Sequence, residues 1–308
     1  MRLTKEERLN LWTILQSTTF QPFQLEALGT WRFSSQTAGA HLWIVGSVHG
    51  NEAVGAVVLE RLMKLAIEGH LLSSGTVTFV LGNPTAFLED LRYIDQDLNR
   101  AFSQRVIVDG NIELNRQAEL HRLLKDQPPQ FVLDLHSVSS GDHGIVVYPK
   151  ESEKWAERLG CLETHFCYSQ EHMAGETLID AAQSYGAGVM VVECGHHHSS
   201  NTIDVALAHI QKLLHYFEIS SHPLIDIEPS TPSVITRYRS TQMIKPHLGF
   251  KFSFPVETGS EVNKGVTYAV DENGAHIAPH HAWFMMPSLE VKPHDQDAGW
   301  LCSRELIS

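Results

Sequence analysis

A histidine and a glutamate lie three residues apart in the segment GSVHGNE, residues 46–52, at His49 and Glu52. Both residue types bind divalent metal ions, and this spacing lets both side chains reach one ion. The pattern is short, however, and Glu52 could equally serve only to favour the amino end of the helix predicted after it. The segment therefore indicates a metal site only if a third ligand comes from elsewhere in the chain.

The candidate third ligand is His136, near the end of the apolar segment FVLDLHS, residues 131–137. A core histidine would be unusual there, although a strand-end histidine capped by solvent would also fit. On an extended chain Asp134 points to the same face as His136. Its carboxylate could hydrogen-bond an imidazole and so fix the tautomer of that ring. Two imidazoles and one carboxylate with an open fourth position are typical of a catalytic zinc ion rather than a structural one.

A metal-activated water needs a proton acceptor, and Glu193 lies at the end of a buried strand in the segment MVVECG, residues 190–195. Burying a carboxylate there is costly unless it faces a polar cleft. Beside zinc it could take a proton from water and pass it to a leaving amine. A surface glutamate at a strand end is the alternative. We do not expect the three histidines at 196–198 to be ligands, because consecutive side chains diverge.

Two arginines, Arg92 and Arg100, occupy the segment LRYIDQDLNRAF, residues 91–102, which follows a predicted strand and a GNP turn. We expect an ordered loop at the edge of the sheet where the site lies. Arginine suits bidentate capture of a carboxylate and stabilisation of an oxyanion. The two arginines could instead form ion pairs with Asp95 and Asp97, and Asp97 could orient one of them.

Alternating apolar and amphipathic segments predict the framework that holds these residues. The predicted strands are 41–46, 76–81, 131–135, 144–148 and 188–192, and the predicted helices are a short one after the capping pattern of Thr4 and Glu7, then 51–68, 112–124, 177–185 and 203–217. This order is typical of a layered α/β domain with helices on both faces of a mostly parallel sheet. Such sheets place their sites at the carboxyl ends of the strands.

The character of the sequence changes after residue 220. Residues 221–233 are rich in serine and proline and predict a linker between a catalytic domain, 1–220, and a second domain, 234–308. The second domain contains short β-prone segments separated by glycine, proline, asparagine and aspartate, which predicts a small all-β domain. We expect it to shield one side of the cleft or to form an interface in a homo-oligomer.

The composition narrows the range of partners. The chain has 308 residues and a formal net charge of −13, so its surface repels phosphate backbones and anionic lipid, and we expect neither nucleic acid nor membrane as a partner. An anionic substrate must therefore meet a local arginine cluster. No segment has the apolar length of a transmembrane helix or the pattern of a signal peptide. The four cysteines are sparse and unpaired, which predicts reduced thiols and a cytoplasmic protein.

Taken together and in this order, GSVHGNE, GNP with RYIDQDLNRAF, LDLHS and VVECG resemble the succinylglutamate desuccinylase and aspartoacylase family of zinc-dependent amidohydrolases. The resemblance covers residues 41–217. It implies a three-layer α/β/α zinc-carboxypeptidase-like domain with a mostly parallel sheet, and the small C-terminal all-β domain is consistent with the family's two-domain plan. It also implies one Zn²⁺ per chain, with His49, Glu52 and His136 as its ligands.

The resemblance further implies roles for four other residues. Glu193 is the implied general base and acid, Arg92 the group that polarises the amide carbonyl, and Asn99 with Arg100 the binders of a substrate carboxylate. The predicted function is therefore zinc-dependent hydrolysis of the amide bond of a small, anionic N-acyl amino acid. The acyl group and the amino acid stay open.

Two alternatives to this function use the same residues. A metallocarboxypeptidase acting on peptides has the same ligands on a similar fold, and only substrate tests separate it from a deacylase. A non-catalytic zinc-binding domain is disfavoured because a base and an oxyanion arginine are both present. We expect the walls of the pocket in segments 139–145 and 170–177, with His143 and His172 as candidate contacts.

Overall fold

The structure is a computed structural model and describes residues 2–103, 109–138, 144–169, 171, 176–226, 229–288, 291 and 297–308. The helices are α1 (Lys5–Leu15), α2 (Val54–Ile67), α3 (Pro84–Glu89), α4 (Ile112–Asp126), α5 (Glu153–Leu159), α6 (Leu178–Ser184) and α7 (Thr202–Tyr216). The strands are β1 (Thr30–Ser34), β2 (His41–Gly46), β3 (Thr76–Leu81), β4 (Phe131–Val138), β5 (Ile145–Pro149), β6 (Thr164–Tyr168), β7 (Gly188–His196), β8 (Ile235–Met243), β9 (Lys251–Phe252), β10 (Glu261–Val262), β11 (Thr267–Asp271), β12 (Gly274–Ile277), β13 (Ala282–Met285) and β14 (Trp300–Ile307).

One large open sheet runs through the molecule in the order β1-β3-β2-β4-β7-β5-β6-β8-β14-β13-β10. Strands β3, β2, β4 and β7 are parallel neighbours, as predicted. Strand β5 reverses direction against β7 and then pairs in parallel with β6. The parallel block therefore places the carboxyl ends of β2, β4 and β7 side by side at one edge of the sheet.

Helices cover both faces of this sheet and separate two hydrophobic cores. Helices α1, α2, α5 and α7 contribute to one core, and α4 and α6 contribute to the other. Strand β2 shows why its sequence is apolar without alternation, because Leu42 and Ile44 enter the first core while Trp43 and Val45 enter the second. Burial on both faces is the physical reason for such a continuous apolar segment.

The C-terminal strands continue the main sheet rather than leaving it. Strand β8 pairs in parallel with β6, and β14, β13 and β10 follow as antiparallel neighbours. A second small sheet, β12-β11-β9, closes a third core that contains Tyr268, Phe284 and Leu301. Because one sheet spans both predicted domains, the division into 1–220 and 234–308 stays a prediction.

The N-terminal helix begins as its sequence predicts. Thr4 Oγ1 accepts a hydrogen bond from the backbone N–H of Glu7, and the Glu7 carboxylate accepts one from the backbone N–H of Thr4. This pair is the capping box that satisfies two free amides at the start of α1. Across the ranges described above, all four cysteines are free and no helix has the length and apolarity needed to cross a membrane.

Candidate metal centre

The candidate site lies at the predicted edge of the sheet. The loop after β2 carries His49 and Glu52, and His136 lies near the end of β4. Glu193 in β7 stands directly opposite His136 in the parallel pairing of these two strands. The register of three neighbouring strands therefore brings together residues that are far apart in the sequence.

Local hydrogen bonds shape the loop between β2 and α2. The backbone N–H of Glu52 donates to the carbonyl of His49 at 3.0 Å, which closes a tight turn. Ser47 Oγ donates to the carbonyl of Glu52 at 2.8 Å. A Cβ at residue 50 would lie 2.1 Å from the carbonyl carbon of Ala86, so only glycine fits at Gly50. The turn thus holds both side chains on the side of the loop that faces β4.

The Glu52 carboxylate lies between two imidazoles. Its Oε1 is 2.7 Å from His49 Nδ1, and its Oε2 is 3.0 Å from His136 Nδ1. Oε2 also accepts a hydrogen bond from the backbone N–H of Ser137 at 3.0 Å. All three side chains are buried, and one ligand atom from each lies within 4.8 Å of the others. The three predicted ligands therefore meet as closely as a shared ion requires.

The remaining nitrogen of each imidazole faces an aspartate. His136 Nε2 is 2.9 Å from Asp134 Oδ2, which is the contact predicted from the strand alternation. His49 Nε2 is 3.3 Å from Asp97 Oδ1, a contact that the sequence did not predict. Each aspartate fixes the orientation of its ring and favours the tautomer whose Nδ1 is free to bind a metal.

The neighbouring charges shift the pKa values of Glu52 and His136 in opposite directions. Burial alone would raise the pKa of Glu52, but His49 and His136 outweigh it and hold the pKa well below 4.5. Burial alone would lower the pKa of His136, but Asp134 and Glu52 outweigh it and hold the pKa well above 6.5. The carboxylates of Glu52 and Asp134 therefore stabilise positive charge between the imidazoles, and a divalent cation would supply such a charge. Two imidazoles and a carboxylate are a donor set that fits zinc.

Glu193 has the environment of a proton carrier. Burial raises its pKa from 4.5 to about 7, with His136 opposing the rise and Glu52 adding to it. Within the described ranges, its buried Oε2 has no hydrogen-bond partner. A carboxyl with a pKa near neutrality can both accept and return a proton. A surface position at a strand end, the alternative weighed from the sequence, does not match this burial.

Arg92 lies beside the three candidate ligands and remains accessible. Its Nε and Nη2 donate to Asp97 Oδ2 at 3.1 and 2.9 Å, which is one of the ion pairs considered from the sequence. Its Nη1 is 3.9 Å from Glu52 Oε1, and 44% of its side chain is exposed. Asp97 therefore links the arginine to His49, while the guanidinium keeps a face toward solvent.

Arg100 and Asn99 have partners that the sequence did not predict. Arg100 Nη2 donates to Asp297 Oδ2 at 2.9 Å, rather than to Asp95, and Nη1 donates to the carbonyl of Asn99 at 2.9 Å. The side-chain oxygen of Asn99 accepts from the backbone N–H of Leu178 at 3.0 Å and so braces the start of α6. The substrate-binding roles of both residues stay predictions.

The order and geometry of these motifs agree with a comparison against known families. The model for the succinylglutamate desuccinylase/aspartoacylase catalytic domain matches residues 38–217, which is more than half of the chain. The chain belongs to this family. Zinc dependence is general in the family, and the ligand set described above is consistent with it.

Individual relatives match the chain over different lengths, and two of them cover most of it. The succinylglutamate desuccinylase of Pseudomonas paraeruginosa is 33% identical over 126 residues, which cover 39% of this chain but only 36% of that relative. The succinylglutamate desuccinylase of Pseudomonas syringae pv. tomato is 26% identical over 276 residues, covering 82% of this chain and 80% of that protein. The crystal structure of succinylglutamate desuccinylase from Vibrio cholerae superposes with a TM-score of 0.70 at 20% identity, covering 90% of this chain and 85% of that one. The predicted fold class is thereby confirmed.

Among the described residues, the three histidines at 196–198 do not join the candidate ligands of this family member. His197 Nδ1 lies 2.7 Å from Ser137 Oγ, next to the site. In the part of the chain that the structure describes, His49, Glu52 and His136 are the only group of side chains placed to share a metal ion. His143 and His172 lie outside the described residues.

Proposed function

We propose that the protein is a zinc-dependent deacylase that hydrolyses the amide bond of a small N-acyl amino acid, releasing a carboxylate and a free amine. The observation that carries this proposal is the meeting of His49, Glu52 and His136 beside the buried carboxylate of Glu193. A merely structural zinc site would need a fourth protein ligand and no neighbouring base.

His49, Glu52 and His136 would hold the ion, and the aspartates behind the two histidines keep the rings in place. When bound, zinc would polarise the amide carbonyl and would lower the pKa of water from 15.7 toward about 7. Glu52 serves only as a ligand, because both of its oxygens already face imidazole nitrogens. The proton chemistry is therefore left to the second carboxylate of the site.

Glu193 moves the proton in both halves of the reaction. It accepts a proton from the attacking water as the new C–O bond forms, and it delivers that proton to the amide nitrogen as the C–N bond breaks. In the metal-free protein the pKa of this carboxyl is about 7, a range in which it can both accept and return a proton near neutral pH. Glu193 would be ionised at the start of the cycle, because the charge of a bound divalent ion would lower this pKa.

Arg92 stabilises the negative charge that develops on the carbonyl oxygen. Its accessible guanidinium beside Glu52 is placed for this contact, and Asp97 prevents it from swinging away. Arg100 and Asn99 bind the carboxylate of the substrate, as the family resemblance implies. Since Asp297 already pairs with Arg100, the substrate carboxylate shares this guanidinium with a protein carboxylate.

The test begins with the zinc content of the purified protein and a screen for amine release. N-acetyl and N-succinyl amino acids and short peptides form the substrate panel. We expect about one zinc per chain and release of amine from acyl amino acids. Cleavage of peptides alone would instead favour a metallocarboxypeptidase, and bound zinc without hydrolysis of any substrate would favour a non-catalytic domain.

Replacement of the proposed base sharpens this test. Glu193→Gln should keep its zinc and lose about 10²–10⁴-fold in kcat, because general acid–base catalysis contributes that much. Glu119→Gln on α4, where 42% of the glutamate side chain is exposed, serves as the matched control. Full activity in a zinc-loaded Glu193→Gln protein would remove Glu193 from the mechanism.

A further inference from the structure

A third buried glutamate, Glu113, lies outside the site, and every hydrogen bond that it accepts from the described residues comes from an uncharged donor. It belongs to the first turn of α4 and has no exposed surface. Its Oε1 accepts from the backbone N–H of Ile94 at 2.7 Å. Its Oε2 accepts from the backbone N–H groups of Asp95 and Gln96 at 2.9 and 3.4 Å. One carboxylate thus captures three consecutive amides of the arginine loop, residues 91–97.

The same carboxylate also reaches the loop that carries the metal ligands. Asn83 Nδ2 donates to Glu113 Oε1 at 2.9 Å. The backbone N–H of Asn83 donates to the carbonyl of Ser47 at 2.9 Å, and Ser47 in turn holds the carbonyl of Glu52. Asn83 therefore links Glu113 to the metal-ligand loop, because its side chain bonds Glu113 and its backbone N–H bonds Ser47. Through Glu113 the metal-ligand loop is connected to the arginine loop.

The arginine loop and α4 also hold each other reciprocally. The backbone N–H of Ile112 donates to Asp95 Oδ2 at 2.8 Å, while the backbone N–H of Asp95 donates to Glu113. The captured amides stand between Arg92 and Asp97 in the chain. The path of the backbone at residues 94–96 consequently sets the distance and direction between these two side chains.

The guanidinium of Arg92 depends on this backbone, although the Arg92 carbonyl itself accepts a hydrogen bond from the backbone N–H of Gly50 at 3.1 Å. Almost half of the side chain is exposed, and within the described residues the hydrogen bonds of the guanidinium go to Asp97 in the same loop. The loop itself has no helix or strand between Leu91 and Asp97, all of which the structure describes. A shift of about 1 Å in a catalytic group can reduce turnover by about 10²-fold.

We propose that Glu113 is a positioning residue for Arg92, which it serves by fixing the backbone of residues 94–96. This inference rests on the proposed function, because it assigns a purpose to the position of Arg92. A carboxylate is required at position 113 because both oxygens must accept. Each Glu113 oxygen accepts two of the four hydrogen bonds. A glutamine has one acceptor oxygen, and its NH₂ group would face N–H groups that also donate.

The first test is a double-mutant cycle on kcat. We expect Glu113→Gln to lower kcat about 10- to 100-fold while KM and zinc content stay within about twofold of the wild type. In an Arg92→Ala background the same substitution should change kcat less than about threefold, since the positioned group is gone. Glu119→Gln, on the same helix, should leave kcat unchanged in both backgrounds. Equal losses from Glu113→Gln with and without Arg92 would overturn the proposal.

The second test reads the loop directly in the metal-free protein. Hydrogen exchange at the amides of Ile94, Asp95 and Gln96 should accelerate in Glu113→Gln, while the amide of Leu120 inside α4 keeps its wild-type rate. Unchanged exchange at residues 94–96 would also overturn the proposal. If Glu113→Gln does not fold, Glu113→Asp, which keeps both oxygens on a shorter arm, should show the same changes at smaller size. Lack of activity in the wild type would contradict the proposed function alone, because the exchange result is independent of turnover.

Discussion

The two halves of the candidate site are held in place by different means. The metal half consists of His49, Glu52 and His136, which project from the ends of neighbouring buried strands and contact one another directly. The arginine half consists of Arg92 and Arg100 on a loop without helix or strand beyond one short turn at Leu98–Arg100. Each arginine has its own aspartate partner. The edge of a sheet holds candidate ligands as precisely as a metal ion requires. The arginine loop is held by hydrogen bonds instead, so a substitution there can leave the metal centre intact.

The largest effect is expected in the metal half. His49→Ala removes one of the two imidazoles, so we expect the zinc content to fall far below the wild-type value of about one per chain and turnover to disappear. Metal analysis after dialysis and amine release measure both quantities. His70→Ala, at an exposed histidine, is the control. Retention of zinc by His49→Ala at the wild-type level would show that His49 is not a ligand.

A substitution in the arginine half should separate metal binding from turnover. Arg92→Ala should lower kcat about 10²–10³-fold, as expected for loss of an oxyanion donor, while the protein keeps its zinc. Arg92→Lys should recover only part of this loss, because lysine lacks the planar fork that pairs with Asp97. Arg122→Ala, at an arginine whose side chain is 54% exposed, should retain full activity. Loss of zinc from Arg92→Ala would contradict the independence of the two halves.

The burial of Glu193 should destabilise the metal-free protein at high pH. The folded-state pKa of about 7 lies above the unfolded value near 4.5, so between these values the folded protein retains a proton that the unfolded chain has lost. The free energy of unfolding of the wild type therefore falls across that window, by about 3 kcal/mol from this group. The free energy of unfolding of Glu193→Gln should not fall in this way, because glutamine does not titrate.

Urea denaturation of both metal-free proteins from pH 4 to pH 8 tests this expectation. The stability of Glu193→Gln relative to the wild type should be constant below pH 4.5, rise between pH 4.5 and pH 7, and be constant above it. A difference between the two proteins that does not vary with pH would mean that Glu193 titrates normally in the fold. Glu68→Gln supplies the control at an exposed glutamate.

The smallest effect is expected at the far end of the arginine half. Asp297→Asn removes the charge that competes for Arg100, so the KM of substrates with a second carboxylate should fall by up to about tenfold, equivalent to about 1.4 kcal/mol. Acyl amino acids with one carboxylate should change less, and added salt should reduce the difference. Asp126→Asn, on the exposed end of α4, is the control. Equal changes for both substrate classes would mean that Asp297 does not select by charge.

Some elements were open to prediction from local pattern alone and others were not. The apolar segment of β2 and the periodic stripe of α7 are long and uniform, and both were predicted within a residue or two. Strand β6 was missed because it is short and includes the buried polar side chain of His165. Helix α3 was also missed, although Asn83 as cap followed by Pro84 is a recognised start signal.

The candidate site divides in the same way. The sequence by itself determined which residues meet at the sheet edge, because His49 and Glu52 share one tight turn and because His136 and Glu193 each end an apolar segment of a parallel sheet, whose strand ends must meet. Only the tertiary structure decided the partners of the arginine half: Asp297 lies 197 residues from Arg100, and Glu113 sits on a helix whose sequence does not mark it as buried. The physical reason is that strand pairing in the sheet determines which residues lie next to a strand end. The charged groups and amides that contact a loop depend instead on how distant segments of the chain pack around it.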